Sequence, residues 1–299
     1  MRHADDDLDE EQSRSAEESE RRRELAVTEH DGGSAELGTI ETSPAAPARR
    51  VLVAEDNPLS QQVLARQLAA LGFVYDIVAD GGEAFNSVTR GGYDVVLMDL
   101  QMPVLDGRSV TRLIRQWEKE NGAPPVRIVA VTASGSAADR VRCLAIGMDD
   151  HLPKPLRIAD LSSVLNRLFD TSSSAAFAPE RSEPGSHPDL DHSMIEGLRA
   201  LGEDDGTFLR GLVRQFRADG DARLARLERA AEDGDIFAIR VLAHALCGSS
   251  ANIGAAGVTA ACRAIEDQSA EGDVSQYRDA VRRVRSAYDF VLPLLDVLA

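Results

Sequence analysis

From Arg50 onward the apolar positions alternate between two rhythms. Arg50-Val51-Leu52-Val53-Ala54 and Tyr93 to Met98 (YDVVLM) are short runs with apolar centres, the signature of parallel strands buried on both faces. Between them, Leu59, Val63, Leu64, Leu68 and Leu71 recur at helical spacing from Pro58 to Leu71, closed by Gly72. Phe73 to Val78 reads as a further strand and Gly82 to Arg90 as a further helix. The alternation continues with a helix over 108–120, ended by Asn121-Gly122 and Pro124-Pro125, and a strand over 127–131. A helix over 137–146, a short strand at His151 and Leu152, and a helix over 158–169 complete it. Five βα units in about 120 residues predict a doubly wound α/β domain over 50–170.

After that the pattern changes. Residues 171–188 (TSSSAAFAPERSEPGSHP) lack periodicity and are rich in Ser, Ala and Pro, which predicts a linker. Over 189–299 only helical spacing remains, covering 194–201, 207–216, 222–231, 236–251, 255–268 and 276–298. An all-α bundle follows, in which Asp219-Gly220 either separates two helices or lies inside one long one. Residues 1–49 hold 14 acidic and 6 basic side chains and little apolar mass, so a disordered acidic tail is expected there.

Composition narrows the function. The net charge of −17 disfavours free-standing nucleic-acid binding. The chain has no run of about 18 apolar residues and no basic-then-apolar start, so neither membrane insertion nor a signal peptide is expected, and the cytoplasm is the expected location. Cys143, Cys247 and Cys262 have no metal-ligand spacing. Only Lys119 and Lys154 of the 33 basic residues are lysine.

In an open parallel sheet, functional side chains gather at the carboxyl ends of the strands. Those ends carry Glu55 and Asp56, Asp99, Thr132 and Lys154. Clustered carboxylates without His or Cys suit Mg²⁺, which would relieve their repulsion. A carboxylate beside such a cation and an ammonium is placed to accept a phosphoryl group, with Thr132 donating a hydrogen bond to it. Acids at strand ends also serve as plain helix caps, and Asp56-Asn57-Pro58 suits that role. Lys154, a lysine in a chain of arginines, favours the phosphate reading.

AEDN (54–57), MDLQMPVLDG (98–107), VTAS (131–134) and GMDDHLPKP (147–155) resemble the receiver domain of two-component signalling proteins, particularly of hybrid histidine kinases. The resemblance implies a flavodoxin-like (βα)5 fold with Asp99 as the phosphorylated aspartate. It implies Mg²⁺ held by Asp56, Asp99 and the backbone carbonyl of Gln101, with Glu55 acting through water. Thr132 becomes the switch hydroxyl, Lys154 the phosphate-binding lysine, and Lys154-Pro155 a cis bond. Where many receivers place an aromatic switch residue, this chain has His151.

Of six histidines, His244 stands out. It lies off the stripe of Ile239, Leu242 and Leu246, towards solvent, with Gly248 one turn on. Glycine inside a helix costs about 1 kcal/mol relative to alanine, and here it leaves room for another protein's active site to approach the imidazole. On spacing alone, a surface histidine beside a helix-packing glycine explains the pattern equally well. AHALCGSSANIGA (243–255), followed by Cys262 and Ile265-Glu266, is similar to histidine phosphotransfer (Hpt) domains. That resemblance implies a four-helix bundle with one exposed phospho-histidine, His244. It departs at Cys247, where the family usually has lysine.

No glycine-rich ATP-binding pattern, catalytic triad or recognition helix occurs, so the chain is expected to be a relay rather than an enzyme. Asp99 is expected to take a phosphoryl group from a histidine kinase, and His244 to pass it to or from another receiver. The alternatives are a phosphate sink, a phosphorylation-dependent binding adaptor, or the carboxyl-terminal part of a hybrid kinase.

Overall fold

The computed structural model describes residues 49–132, 135–169, 189–202, 206–268 and 273–299. The expected linker lies outside these residues, as does the expected acidic tail apart from Arg49.

The first half is a five-stranded parallel sheet in the order β2-β1-β3-β4-β5. Its strands are β1 (Arg50–Ala54), β2 (Val74–Val78), β3 (Val95–Asp99), β4 (Arg127–Thr132) and β5 (Asp150–Pro153). They alternate with α1 (Pro58–Ala70), α2 (Gly81–Arg90), α3 (Gly107–Asn121), α4 (Ala137–Ala145) and α5 (Ile158–Phe169). Successive strand residues point to opposite faces. Val51, Val53, Val95 and Leu97 pack with Leu64 and Leu68 of α1 and Leu161 and Val164 of α5. Leu52, Val96 and Met98 pack with Ala84 of α2, Val110 and Ile114 of α3 and Cys143 of α4. Both faces are therefore covered, which is why β1, β3 and β4 read as unbroken apolar runs.

The second half is helical: α6 (His192–Leu201), α7 (Thr207–Asp233), α8 (Ile236–Asn252), α9 (Ala256–Glu266) and α10 (Val274–Leu298). Helices α7 to α10 share one apolar core, to which α6 adds Met194, Ile195 and Leu198. Asp219-Gly220 proves to be helix interior rather than a break. A Cβ on Gly220 would sit 2.4 Å from the Tyr288 hydroxyl, and that fully buried phenol donates to the Arg217 carbonyl at 2.9 Å. Close packing against α10, not a turn, accounts for this glycine. No helix among the described residues is long and apolar enough to cross a membrane.

The two halves pack together. Helix α1 faces two ways: Leu64 and Leu68 point to the sheet, while Leu59 and Val63 are buried in the helical core. Polar contacts frame this seam. The Asn57 amide donates to the Ala245 carbonyl (3.2 Å) and the Ser249 hydroxyl (2.7 Å), and the Asn252 amide donates to the Ser60 hydroxyl (2.7 Å). Arg66 donates to the Leu201 carbonyl at 2.7 Å, and Arg157 pairs with Asp191 at 3.1 Å.

Candidate functional site

Asp99 ends β3 and is buried at 3% exposure. Its position depends on the turn into α3, because a Cβ on Gly107 would lie 2.1 Å from the Asp99 carbonyl oxygen. Lys154, after β5, places Nζ 2.7 Å from Asp99 Oδ2 and 2.7 Å from Glu55 Oε2. The other Asp99 oxygen accepts from the Gln101 N–H at 3.0 Å. Lys154-Pro155 is cis. Asn57 caps α1, accepting from the Leu59 and Ser60 N–H groups, so the helix-cap reading of this corner holds for Asn57 while the acids beside it turn to the cluster.

Burial drives the electrostatics. It pushes the Glu55 carboxyl up to about 7, with Lys154 opposing and Asp99 reinforcing the rise. Asp56 is likewise raised by burial and then by the charge of Asp99. Burial works against the Lys154 ammonium, but Glu55 and Asp99 overcome it and keep that amine charged. Glu55, Asp56 and Asp99 each offer an oxygen, all within 4.8 Å of one another. Three carboxylates, two of them held above their ordinary range by crowding and burial, with no nitrogen or sulfur donor, form a set that suits a hard divalent cation.

This rim opens into a cleft of about 920 Å³ whose opposite wall is α8. Glu55, Asp56, Asp99, Gln101 and Lys154 line one side and His244 the other. His244 is half-buried, and its Nδ1 lies 2.8 Å from Glu266 Oε1. A carboxylate accepts only, so Nδ1 carries the proton and Nε2 is the ring nitrogen left for chemistry. A Cβ on Gly248 would meet nothing within 4 Å, so the space beside the imidazole is open. Six of the seven expected site residues thus meet in one cleft. Thr132, buried at the end of β4, is not among those lining it, and its carbonyl accepts from the Lys154 N–H at 2.6 Å.

His151 has both ring nitrogens buried without a hydrogen-bond partner among the described residues, and burial lowers its pKa. Cys247 is packed inside the bundle, and burial pushes its thiol up to about 11. It is a small interior residue rather than a reactive thiol. Sequence reasoning assigned no role to Glu266, to Arg240, or to the docking face of Ala245, Ser249 and Asn252. The last had a signal, small and polar residues at i, i+4 and i+7 on one helix face.

Residues 51–166 match the response regulator receiver domain and residues 211–289 match the Hpt domain. The chain is 34% identical over 225 residues to the sensor histidine kinase GacS of Pseudomonas protegens, covering 73% of this chain and 24% of that protein. It is 38% identical over 120 residues to hybrid signal transduction histidine kinase B of Dictyostelium discoideum, covering 38% of this chain and 6% of that protein. The chain thus spans about a quarter of the GacS relative and far less of the other. Among solved structures, the magnesium-bound receiver domain of sensor histidine kinase PA1611 from Pseudomonas aeruginosa is 43% identical, covering 40% of this chain and 97% of that one, with a TM-score of 0.37. The complex of Saccharomyces cerevisiae Ypd1 with the receiver domain of Ssk1 gives 38% identity, 40% and 88% coverage and a TM-score of 0.39. The chain belongs to the two-component phosphorelay proteins, with a response regulator receiver domain followed by an Hpt domain.

Proposed function

We propose that Asp99 and His244 are the two phosphoryl-carrying residues of this chain and that they exchange the group with each other. One observation carries the reading: the aspartate rim and the histidine line the two walls of a single cleft. An upstream histidine kinase supplies the phosphoryl group, and another receiver takes it from, or returns it to, His244.

Asp56, Asp99 and the Gln101 carbonyl would hold Mg²⁺, with Glu55 acting through water. The ion, when bound, neutralises charge on the phosphoryl oxygens. Lys154 already bridges Glu55 and Asp99 and contributes a second positive charge at the acceptor oxygen. Thr132 donates its hydroxyl to the phosphorylated state, and His151, on the neighbouring strand β5, stands at the switch position. On the other wall, the imidazole presents Nε2. Glu266 holds the Nδ1 proton and balances the positive charge that the ring gains on phosphorylation.

The test is to load the full chain with a small acyl phosphate and Mg²⁺, then separate base-labile from acid-labile phosphate. Wild type is expected to carry both, Asp99→Asn neither, and His244→Gln only the base-labile form. Acid-labile phosphate in the Asp99→Asn protein, or none in wild type, would overturn the exchange.

A further inference from the structure

We propose that Arg240 is a positioning residue for His244. It pins the end of α9 so that Glu266 keeps the Nδ1 proton and Nε2 faces the cleft. The proposal rests on the reading of His244 as a phosphoryl carrier.

Glu266 is the last residue of α9. Terminal turns of helices fray, and their last carbonyls lack partners within the helix. A carboxylate in that position does not by itself hold a partner at 2.8 Å. Arg240 supplies the missing restraint. It stands four residues before His244 on α8, on the same helix face, and lines the same cleft. Its Nη1 donates to the Gln268 carbonyl at 2.6 Å and approaches the Ile265 carbonyl at 3.5 Å. These two carbonyls bracket Glu266 in sequence. The same nitrogen lies 3.4 Å from the hydroxyl of Tyr277, a fully buried residue of α10. A cation at a helix C-terminus is favoured by the exposed carbonyls, so the contact stabilises the turn that carries Glu266. Helix α8 therefore bears both the imidazole and, one turn earlier, the clamp on the carboxylate that orients it.

The chemistry explains why orientation matters. The Nε2 lone pair attacks phosphorus as the bond from phosphorus to the Asp99 oxygen breaks, and Asp99 leaves as a carboxylate. The Nδ1 proton stays on the ring, which becomes cationic opposite Glu266. If the proton moves to Nε2, the lone pair that attacks is lost. Cys247, standing where the family usually has lysine, offers no cation to substitute. A direct hold of Arg240 on the phosphoryl group is the rival role that the test must separate.

The full chain is compared as wild type, Arg240→Ala, Arg240→Gln, Arg240→Lys, Glu266→Gln and the Arg240→Ala/Glu266→Gln double variant. Two readouts are taken: the rate of Asp99-to-His244 transfer in a single turnover, and the His244 tautomer by nitrogen NMR. Arg240→Ala and Glu266→Gln, whose amide donates as well as accepts, should each weaken the preference for the Nδ1–H tautomer and slow transfer about tenfold, the scale seen when the hydrogen-bond partner of a metal-bound histidine is removed. Arg240→Lys, which still donates to the two carbonyls, should restore most of both. The double variant should be no slower than Glu266→Gln alone. If Arg240→Ala keeps the wild-type tautomer, or if the double variant shows the product of the two single losses, the proposal is wrong. Should Arg240→Ala not fold, Arg240→Gln, which keeps bulk but no charge, carries the same comparison. Absence of label on wild-type His244 would instead sink the functional reading, while the tautomer comparison would still judge Arg240.

Discussion

Replacing Leu59 with alanine separates docking from chemistry. Leu59 is 1% exposed because the helical bundle covers it, and it is not among the residues that line the cleft. The truncation removes three carbons, and at about 0.8 kcal/mol per buried carbon the docked state loses roughly 2 kcal/mol. That is about a thirtyfold shift in the docking equilibrium. Inter-domain transfer needs the docked state, so its rate should fall about 30-fold where undocked chains dominate in wild type and about 2-fold where docked chains outnumber undocked ones about thirtyfold. Uptake at Asp99 from a small acyl phosphate should not change, because Leu64 and Leu68 still hold α1 to the sheet. Both rates come from one quenched-flow experiment that resolves base-labile and acid-labile phosphate. Equal loss of both would mean that Leu59 supports the receiver fold. No loss of either would mean that the seam plays no part in transfer, and the reasoning would fail.

Three further outcomes follow from particular contacts. Gly107→Ala should push the end of β3 aside, since its Cβ would lie 2.1 Å from the Asp99 carbonyl and 2.9 Å from Met98 Cγ. Asp99 labelling should drop about a hundredfold, a loss typical of a misplaced reactive group, while far-ultraviolet circular dichroism stays near wild type. Gly220→Ala should destabilise the Hpt bundle by about 2 kcal/mol through overpacking against Tyr288, read as a lower denaturant midpoint. His151 sits below its ordinary pKa because burial opposes its charge. The unfolded chain therefore binds an extra proton as pH falls below about 6.5, and stability is lost on acidification. His151→Phe should remove that part of the slope between pH 7.5 and 5.5, and an unchanged slope would show that His151 does not titrate as argued.

Much of the receiver fold was legible because parallel strands covered on both faces leave unbroken apolar runs, and the residues after those runs fall at the sheet's carboxyl edge. Asp99 could be named from that rule, and Lys154 from its place after the short β5 together with its being a lysine in a chain of arginines. Gly220 shows the limit. Glycine weakens any local helix signal, and only Tyr288, far along the chain on α10, explains why the helix passes through it. The docking seam was half legible. Ala245, Ser249 and Asn252 mark a face of α8, but their occupants Asn57 and Ser60 lie up to 192 residues away, a pairing that no periodicity encodes. Nothing in the sequence gives Glu266 or Arg240 a role, since the end of α9 meets α8 only after the bundle packs.

The central claim is that Asp99 and His244 of one chain serve each other across the cleft. The most direct measurement is the single-turnover rate of Asp99-to-His244 transfer over a hundredfold range of protein concentration, with a mixture of the Asp99→Asn and His244→Gln chains alongside. Exchange within one chain predicts a rate independent of concentration and faster than the mixture at low concentration, where a tether of order millimolar effective concentration dominates. A rate that rises in proportion to concentration, matched by the mixture, would contradict it.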